Sequence, residues 1–346
     1  MRIGVRSGKL DPALLEALLR HAPTNGAAVA LGPGIGRDAA AVRLGESYLV
    51  LAADPITFDA LPGRAGAAVV HVNANDVVCL GAAPSWFLAT MLFPPGVAEA
   101  EVEAAFASLG AACASVGATL VGGHTEVSDA VTRPVVAGTM VGLAPNDRLY
   151  TPTAIRPGDA LVQIGAAAIE GTALLASQAV EALGRAGVAA GEIAAAAALG
   201  EEPGISVVAM ARAAWGAPGL RALHDPTEGG VATAAWEMAQ AAGLGLEVEE
   251  SALIAHPLTL LVAAAMGIDW RGLLASGCLL AGVAGADAEA FVGRMGAAGY
   301  PSAQVGHFNR TPEDDAEAAI LRASEGPRAL PRFTRDEALR VLRPKG

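Results

Sequence analysis

The chain has 346 residues, of which 53% are hydrophobic and 17% charged, with 42 Gly. Such a chain fits two folded domains with large cores and excludes a disordered or low-complexity protein. The net charge is −12 and the 23 basic residues form no long run, which argues against a nucleic-acid backbone as ligand but leaves a nucleotide held by amides and Mg2+ open.

Asp11 to His21 reads as a helix, with Asp at its start, Pro next, and Leu14, Leu15, Leu18 and Leu19 on one stripe. Gly4 to Lys9 looks superficially like a phosphate-binding loop, but it is one residue short, follows no strand, and has no Ser or Thr after Lys9. Leu31 to Ala40 is glycine-rich and carries Asp38. Two strand-like runs follow, Ala39 to Leu44 and Tyr48 to Ala53, the second ending at Asp54. A carboxylate there suits a metal ligand or a turn.

Val69 to Pro84, VVHVNANDVVCLGAAP, places Asn73, Asn75 and Asp76 inside helix-compatible sequence. Asn and Asp compete with the backbone of a helix, so such a cluster serves a cap, a ligand or a metal. Trp86 to Leu92 reads as a strand, and Val97 to Val116 as a helix with Val102, Ala105, Phe106 and Leu109 on one face. A short strand, Thr119 to Val121, is followed at once by Gly122-Gly123-His124-Thr125-Glu126, and Pro134 to Leu143 is another strand. The polar side chains gather just after the strands.

Tyr150 to Asp159, with two Pro and a Pro-Gly-Asp turn, is the candidate linker between domains 1–149 and 150–346. A second series begins with the strand Ala160 to Gly165. An Ala-rich helix is expected over Ala186 to Gly200, and another helix over Val207 to Trp215. The polar turn Leu223 to Gly230 precedes a helix, Val231 to Ala242. Strands are expected at Gly245 to Glu249, Gly277 to Val283 and Gln304 to Phe308, with a helix over Asp287 to Ala298. The charged, Pro-containing stretch from Thr311 onward is expected to lie along the surface.

Cys79, Cys113 and Cys278 are far apart and form no paired motif, so buried thiols in a reducing compartment are expected rather than disulfides or zinc. MRIGVRSGKLDP has no apolar leader region, and no apolar run is long enough to span a membrane. The expectation is a cytoplasmic protein without membrane or nucleic-acid partners.

These stretches, in this order from about Gly32 to Gly306, resemble the superfamily of aminoimidazole ribonucleotide (AIR) synthase, thiamine-monophosphate kinase, selenophosphate synthetase and the hydrogenase maturation protein HypE. GPGIGRDAAAV resembles the acidic loop G-x-G-D-D-A-A-V, with Arg37 at the first Asp and Asp38 at the second. Ala53 to Thr57 resembles the second acidic motif, and Val72 to Pro84 the element V-N-D-L/I-x-x-M-G-A-x-P. Val121 to Glu126 resembles G-G-[DE]-T, with His124 in the acidic place. His224 to Gly230 resembles the HypE signature H-D-P-T-R-G-G, with Glu228 for Arg.

The resemblance implies an α/β (α+β) fold of PurM-like type with two domains, an ATP site in the first, and a homodimer packed through the N-terminal sheets. It implies Mg2+ on Asp38, Asp54 and Asp76. Mg2+ is a hard ion suited to carboxylates. Phosphate or nucleotide contacts would come from Gly34, Gly36, Asn75, Gly122, Gly123, His124, Thr125, Gly229 and Gly230, where Gly lets backbone N–H groups approach an anion or simply forms a tight turn. His124 equally suits a structural hydrogen bond. His224, Asp225 and Thr227 precede a helix start suited to an oxyanion and are the candidate catalytic residues; a capping turn is the plainer reading.

The implied activity is ATP-dependent phosphoryl transfer that activates an amide or carboxamide oxygen on a small molecule or a protein. The alternatives are a small-molecule kinase of the thiamine-monophosphate kinase type and a nucleotide-binding regulatory or assembly protein without catalysis. The printed sequence ends Leu342-Arg343-Pro344-Lys345-Gly346, without the terminal Cys of HypE, and so argues against its cyanide-ligand chemistry. No Cys precedes Cys79, as selenophosphate synthetase would need, and the lysine loop of AIR synthase is absent.

Overall fold

The computed structural model describes residues 10, 12–24, 26–56, 65–310 and 319–342. Asp11, Thr57 and the Gly4 to Lys9 stretch lie outside them. The chain forms two compact units. One comprises Asn25–Pro33 and Asp38–Leu149. The other comprises the described parts of Met1–Thr24 and Tyr150–Gly346, together with Gly34–Arg37, so the glycine-rich loop is divided between the units immediately before Asp38. Helix α1 (Pro12–Leu19) opens the chain. Its expected apolar stripe is not enclosed: Leu15 and Leu19 are half-buried, while Leu14 and Leu18 are exposed.

The unit that holds Asp38–Leu149 contains β1 (Val29–Leu31), β2 (Ala40–Leu44), β3 (Ser47–Ala52), β4 (Pro55–Ile56), α2 (Ala65–Cys79), β5 (Ala83–Phe93), α3 (Glu99–Val116), β6 (Thr119–Val127) and β7 (Val135–Pro145). Its sheet runs β1-β2-β3-β7-β5-β6, with β4 also on β7. Every pair is antiparallel except β5–β6. Alternation along the strands makes the sheet two-faced. Val50, Phe87, Met91, Val136 and Met140 are buried, as are Val69, Val70, Ala74 and Val77 of α2. On β5, Trp86 and Leu88 remain about two-fifths exposed, at 40% and 41%. Helix α3 buries Ala105, Leu109, Ala112, Cys113 and Val116, a stripe of helical period. Phe106, expected on that face, lies on its flank and is exposed.

One expectation changes here. Strand β6 continues through Gly122 to Glu126, so the G-G-H-T-E element is strand and not a loop after one. A Cβ at Gly123 would overlap the Ala89 carbonyl, and its φ of 148° is one that other residues rarely adopt. The glycine thus permits the close parallel pairing with β5, where Ala89 is its register partner.

In the other unit a sheet runs β14-β13-β10-β12-β8-β11-β9. Its strands are β8 (Ala160–Ile164), β9 (Leu220–His224), β10 (Gly245–Glu249), β11 (Leu279–Val283), β12 (Ser302–Asn309), β13 (Ala319–Ala323) and β14 (Gly326–Ala329). Only β10–β13 is parallel. The helices are α4 (Ile169–Gln178), α5 (Val180–Arg185), α6 (Ala190–Ala198), α7 (Val208–Ala214), α8 (Gly230–Ala242), α9 (Pro257–Met266), α10 (Ala288–Ala297) and α11 (Ala338–Val341). Helix α8 packs Val231, Ala235 and Met238 into a core with Leu161, Leu280 and Phe308 of the sheet. Residues from α4, α5, α6, α9 and α11 form a second cluster around Leu175, Leu183 and Val262.

The segment expected to lie along the surface is instead integral: β13 and β14 extend the sheet, and Leu321, Leu330 and Ala338 are buried. The expected helix over Ala186 to Gly200 is broken, with α5 ending at Arg185, Gly187 at φ 90°, and α6 beginning at Ala190. Tyr150 to Asp159 is no free linker: Tyr150 and Ile155 are buried, and the Thr151 N–H donates to the Arg221 carbonyl at 3.1 Å. Among the described residues, no single helix is long and apolar enough to cross a membrane.

Candidate functional site

Asp54 follows β3 in an exposed position, but its backbone is clamped. Its N–H donates to Asn73 Oδ1 at 2.9 Å, and its carbonyl accepts from Asn73 Nδ2 at 3.1 Å and from the Gly138 N–H at 3.0 Å. Asn73 Nδ2 also donates to the Val69 carbonyl, one turn back on α2, at 2.8 Å. The amide in the helix interior is thus explained: fully buried, it ties α2 to the acidic turn. Asp76 lies three residues further on, on the same side of the helix, and both it and Asn75 are buried. Both belong to the last turns of α2, so neither stands where a side chain would cap the helix's first amides.

Asp38 is half-buried, with a carboxylate oxygen within 4.8 Å of the buried Cys79 sulfur. The three expected metal ligands, Asp38, Asp54 and Asp76, do not all come within 4.8 Å of one another. An octahedral Mg2+ holds its oxygens at about 2.1 Å, so opposite ligands stand about 4.2 Å apart. One ion does not take all three directly in this arrangement.

On β6, His124 Nε2 lies 3.2 Å from Glu126 Oε2, both side chains being exposed. Gly122 and Thr125 are exposed as well, and a Cβ at Gly122 would meet only the end of Leu88 at 4.0 Å.

In the other unit β9 ends at His224, and the polar turn follows. His224 and Asp225 are buried, and Thr227 and Glu228 half-buried. His224 Nε2 stands 3.5 Å from Glu237 Oε2 on α8. Gly34 and Gly36 belong to this unit, and a Cβ at Gly36 would stand 2.6 Å from the Glu237 carbonyl oxygen. Burial and the nearby Asp225 charge push the Cys278 thiol well above its ordinary pKa, so it stays protonated.

Gly229 and Gly230, expected at a phosphate, are occupied by protein. Their φ angles are 84° and 69°. A Cβ at Gly230 would overlap the Arg271 carbonyl, and one at Gly229 would stand 2.8 Å from the Phe333 carbonyl oxygen. The Gly229 N–H donates to Asp336 Oδ2 at 3.2 Å. The turn therefore owes its glycines to packing and to a distant carboxylate.

Two carboxyls that sequence reasoning missed adjoin this turn. Burial raises Asp336 to about 6 against the backbone hydrogen bonds it accepts, and the Glu228 charge adds to the rise. Glu170, at the start of α4, is raised to about 7, first by burial, with the Ser276 hydroxyl opposing and the charges of Asp336 and Glu228 adding. No motif marks either one. Asn73 had a signal, an amide where a helix interior should be apolar.

Residues 36–144 match the AIR synthase related protein N-terminal domain, and residues 156–318 the AIR synthase related protein C-terminal domain. The chain belongs to the AIR synthase related family. This AIR synthase related chain is 31% identical to the carbamoyl dehydratase HypE of Rhodobacter capsulatus over 252 residues, 72% of this chain and 69% of the relative. Its fold is similar to that of HypE in complex with ATP, with a TM-score of 0.72 at 23% identity over 98% of each chain. The HypE–HypF complex gives 0.73 at 20% identity over 93% of this chain and 100% of the other. The structure of AaThiL complexed with AMPPCP and TMP gives 0.72 at 18% identity over 96% of this chain and 99% of the other. A HypE relative thus has a protein partner, and both HypE and AaThiL have been solved with nucleotide or its analogue.

Proposed function

We propose that this AIR synthase related chain binds ATP with Mg2+ and transfers the terminal phosphoryl group to the oxygen of an amide or carboxamide. The observation that carries the reading is the acidic turn at Asp54, held by Asn73 from a helix that also presents Asp76 on the same side. Hard oxygen donors on separate elements suit Mg2+, which completes its shell with water and phosphate oxygens. Ligands that cannot share one ion directly are compatible with that habit. Bound Mg2+ would neutralise the phosphates, and the protein's task would be positioning. Asp38, Asp54 and Asp76 hold the metal directly or through its bound water, while Asn75, Gly122, His124 and Thr125 of the same unit contact the nucleotide. His224, Asp225 and Thr227 orient the acceptor. Gly123, Gly229 and Gly230 act through backbone shape. Kinship with a carbamoyl dehydratase favours a carboxamide as acceptor, on a small molecule or on a protein.

The comparable likeness to AaThiL supports a second reading, a small-molecule kinase. The test is thermal unfolding with and without Mg·ATP, followed in the same samples by ADP release in the presence of carboxamide or hydroxyl acceptors. Carboxamide-dependent release supports the first reading; release only with hydroxyl acceptors replaces it with the second. Asp76→Asn should weaken Mg·ATP binding at least about tenfold with little change in melting temperature. Unchanged affinity would remove Asp76 from the metal site.

The chain works as a cytoplasmic homodimer in this reading. Support comes from the sheet face that carries Trp86 and Leu88, apolar and exposed in the single chain.

A further inference from the structure

We infer that Asp336 is a positioning residue for the His224–Gly230 turn, acting on it from a segment remote in sequence. The inference rests on the reading that this turn orients the acceptor.

Helix α8 begins with two glycines and has no side chain of its own to cap its first amides. The cap comes from 107 residues away. Asp336 is 2% exposed; Oδ2 accepts the Gly229 N–H at 3.2 Å and Oδ1 accepts the Ala338 N–H at 2.9 Å. One carboxylate thus ties the start of α8 to the start of α11. An acceptor at this place sets the left-handed backbone of Gly229, and with it the direction in which residues 224–228 leave β9.

The rest of the segment is fastened independently. The Arg332 guanidinium lies 4.3 Å from the centre of the Trp236 ring on α8. The Phe333 N–H donates to Thr233 Oγ1 at 3.0 Å. Glu337 accepts from the Asp269 N–H at 3.1 Å and pairs with Arg340 at 2.7 Å, and its own N–H donates to the Gly272 carbonyl at 3.1 Å. Removing the Asp336 carboxylate would therefore release the turn and leave the segment docked. Removing Arg332 would loosen the segment and leave the turn capped.

The experiment compares wild type, Asp336→Ala, Asp336→Asn and Arg332→Ala in the full chain. Hydrogen exchange is followed in the peptide 226–233, beside ADP release from Mg·ATP. Asp336→Ala should exchange about tenfold faster in that peptide and lose about tenfold in kcat, with KM for ATP within about twofold. Asp336→Asn keeps an acceptor oxygen and should restore most of both. Arg332→Ala should leave both near wild type. Unchanged exchange in Asp336→Ala overturns the inference, and so does an equal loss in Arg332→Ala, which would mark a merely structural segment. If wild type releases no ADP, the phosphoryl-transfer reading fails on its own account. The exchange comparison still decides whether Asp336 positions the turn.

Discussion

Glu170→Gln replaces a carboxyl enclosed beside Asp336 and Glu228 with a neutral group of the same shape. Burial chiefly, with those two charges, raises Glu170 from its ordinary 4.5 to about 7. Between those values the folded chain holds a proton that the unfolded chain has released. Stability from this group is therefore intact below pH 4.5 and falls as pH rises towards 7. A shift of that size corresponds to about 3 kcal/mol at pH 8, at roughly 1.4 kcal/mol per unit. Gln does not titrate, so the variant should match wild type to within about 1 kcal/mol at pH 4.5 and exceed it by about 2–3 kcal/mol at pH 8. Urea unfolding at half-unit steps from pH 4.5 to 8 measures this. Parallel stability curves for the two proteins would refute the reasoning, because they would mean that Glu170 titrates alike folded and unfolded.

Asn73→Ala removes a buried amide that serves both Asp54 and Val69, and should cost about 2–4 kcal/mol in chemical denaturation. Asn73→Asp should be no better, since it sets a carboxylate against two carbonyls; a wild-type midpoint in either variant would count against the clamp. Gly123→Ala should destabilise by at least about 2 kcal/mol through its overlap with Ala89, read as a lower melting temperature without nucleotide. A stable Gly123→Ala variant that loses only nucleotide affinity would restore a direct role for that glycine. Leu88→Arg should shift the chain from dimer to monomer in light scattering at micromolar concentration, with its unfolding midpoint held. A monomeric wild type would dismiss that face as the interface.

Much of the fold was legible where pattern and punctuation agreed. Gly245 to Glu249 is a strand at its expected bounds, α3 lies where apolar periodicity put it, and α8 covers the helix expected over Val231 to Ala242. The failures have physical causes. Gly122-Gly123 reads locally as the end of a short strand, yet β6 runs on through the pair, and at Gly123 the Ala89 carbonyl leaves no room for a side chain. Residues 319–329 are charged and hold Pro327, which hides strands whose parallel partner, β10, lies some 70 residues earlier in the chain. The site divides in the same way. Asp54, Asp76, His224 and Asp225 could be picked out because their types are unusual for their local setting. Asp336 and Glu170 could not, because each acts through neighbours that only the fold supplies.

The parallel pairing of β13 with β10 also bears on how the protein is made. Synthesis proceeds at about 5–20 residues per second, and domains tend to fold as units as they emerge. Asp38–Leu149 can complete its sheet while the ribosome is still working. The later unit cannot, because β10 keeps an unpaired edge until residues 319–323 emerge, and α8 lacks its remote cap until Asp336 follows. For that interval the nascent chain exposes a strand edge of the kind that recruits wrong partners. Premature stops between residues 310 and 319 should therefore yield insoluble product rather than a shortened, working protein.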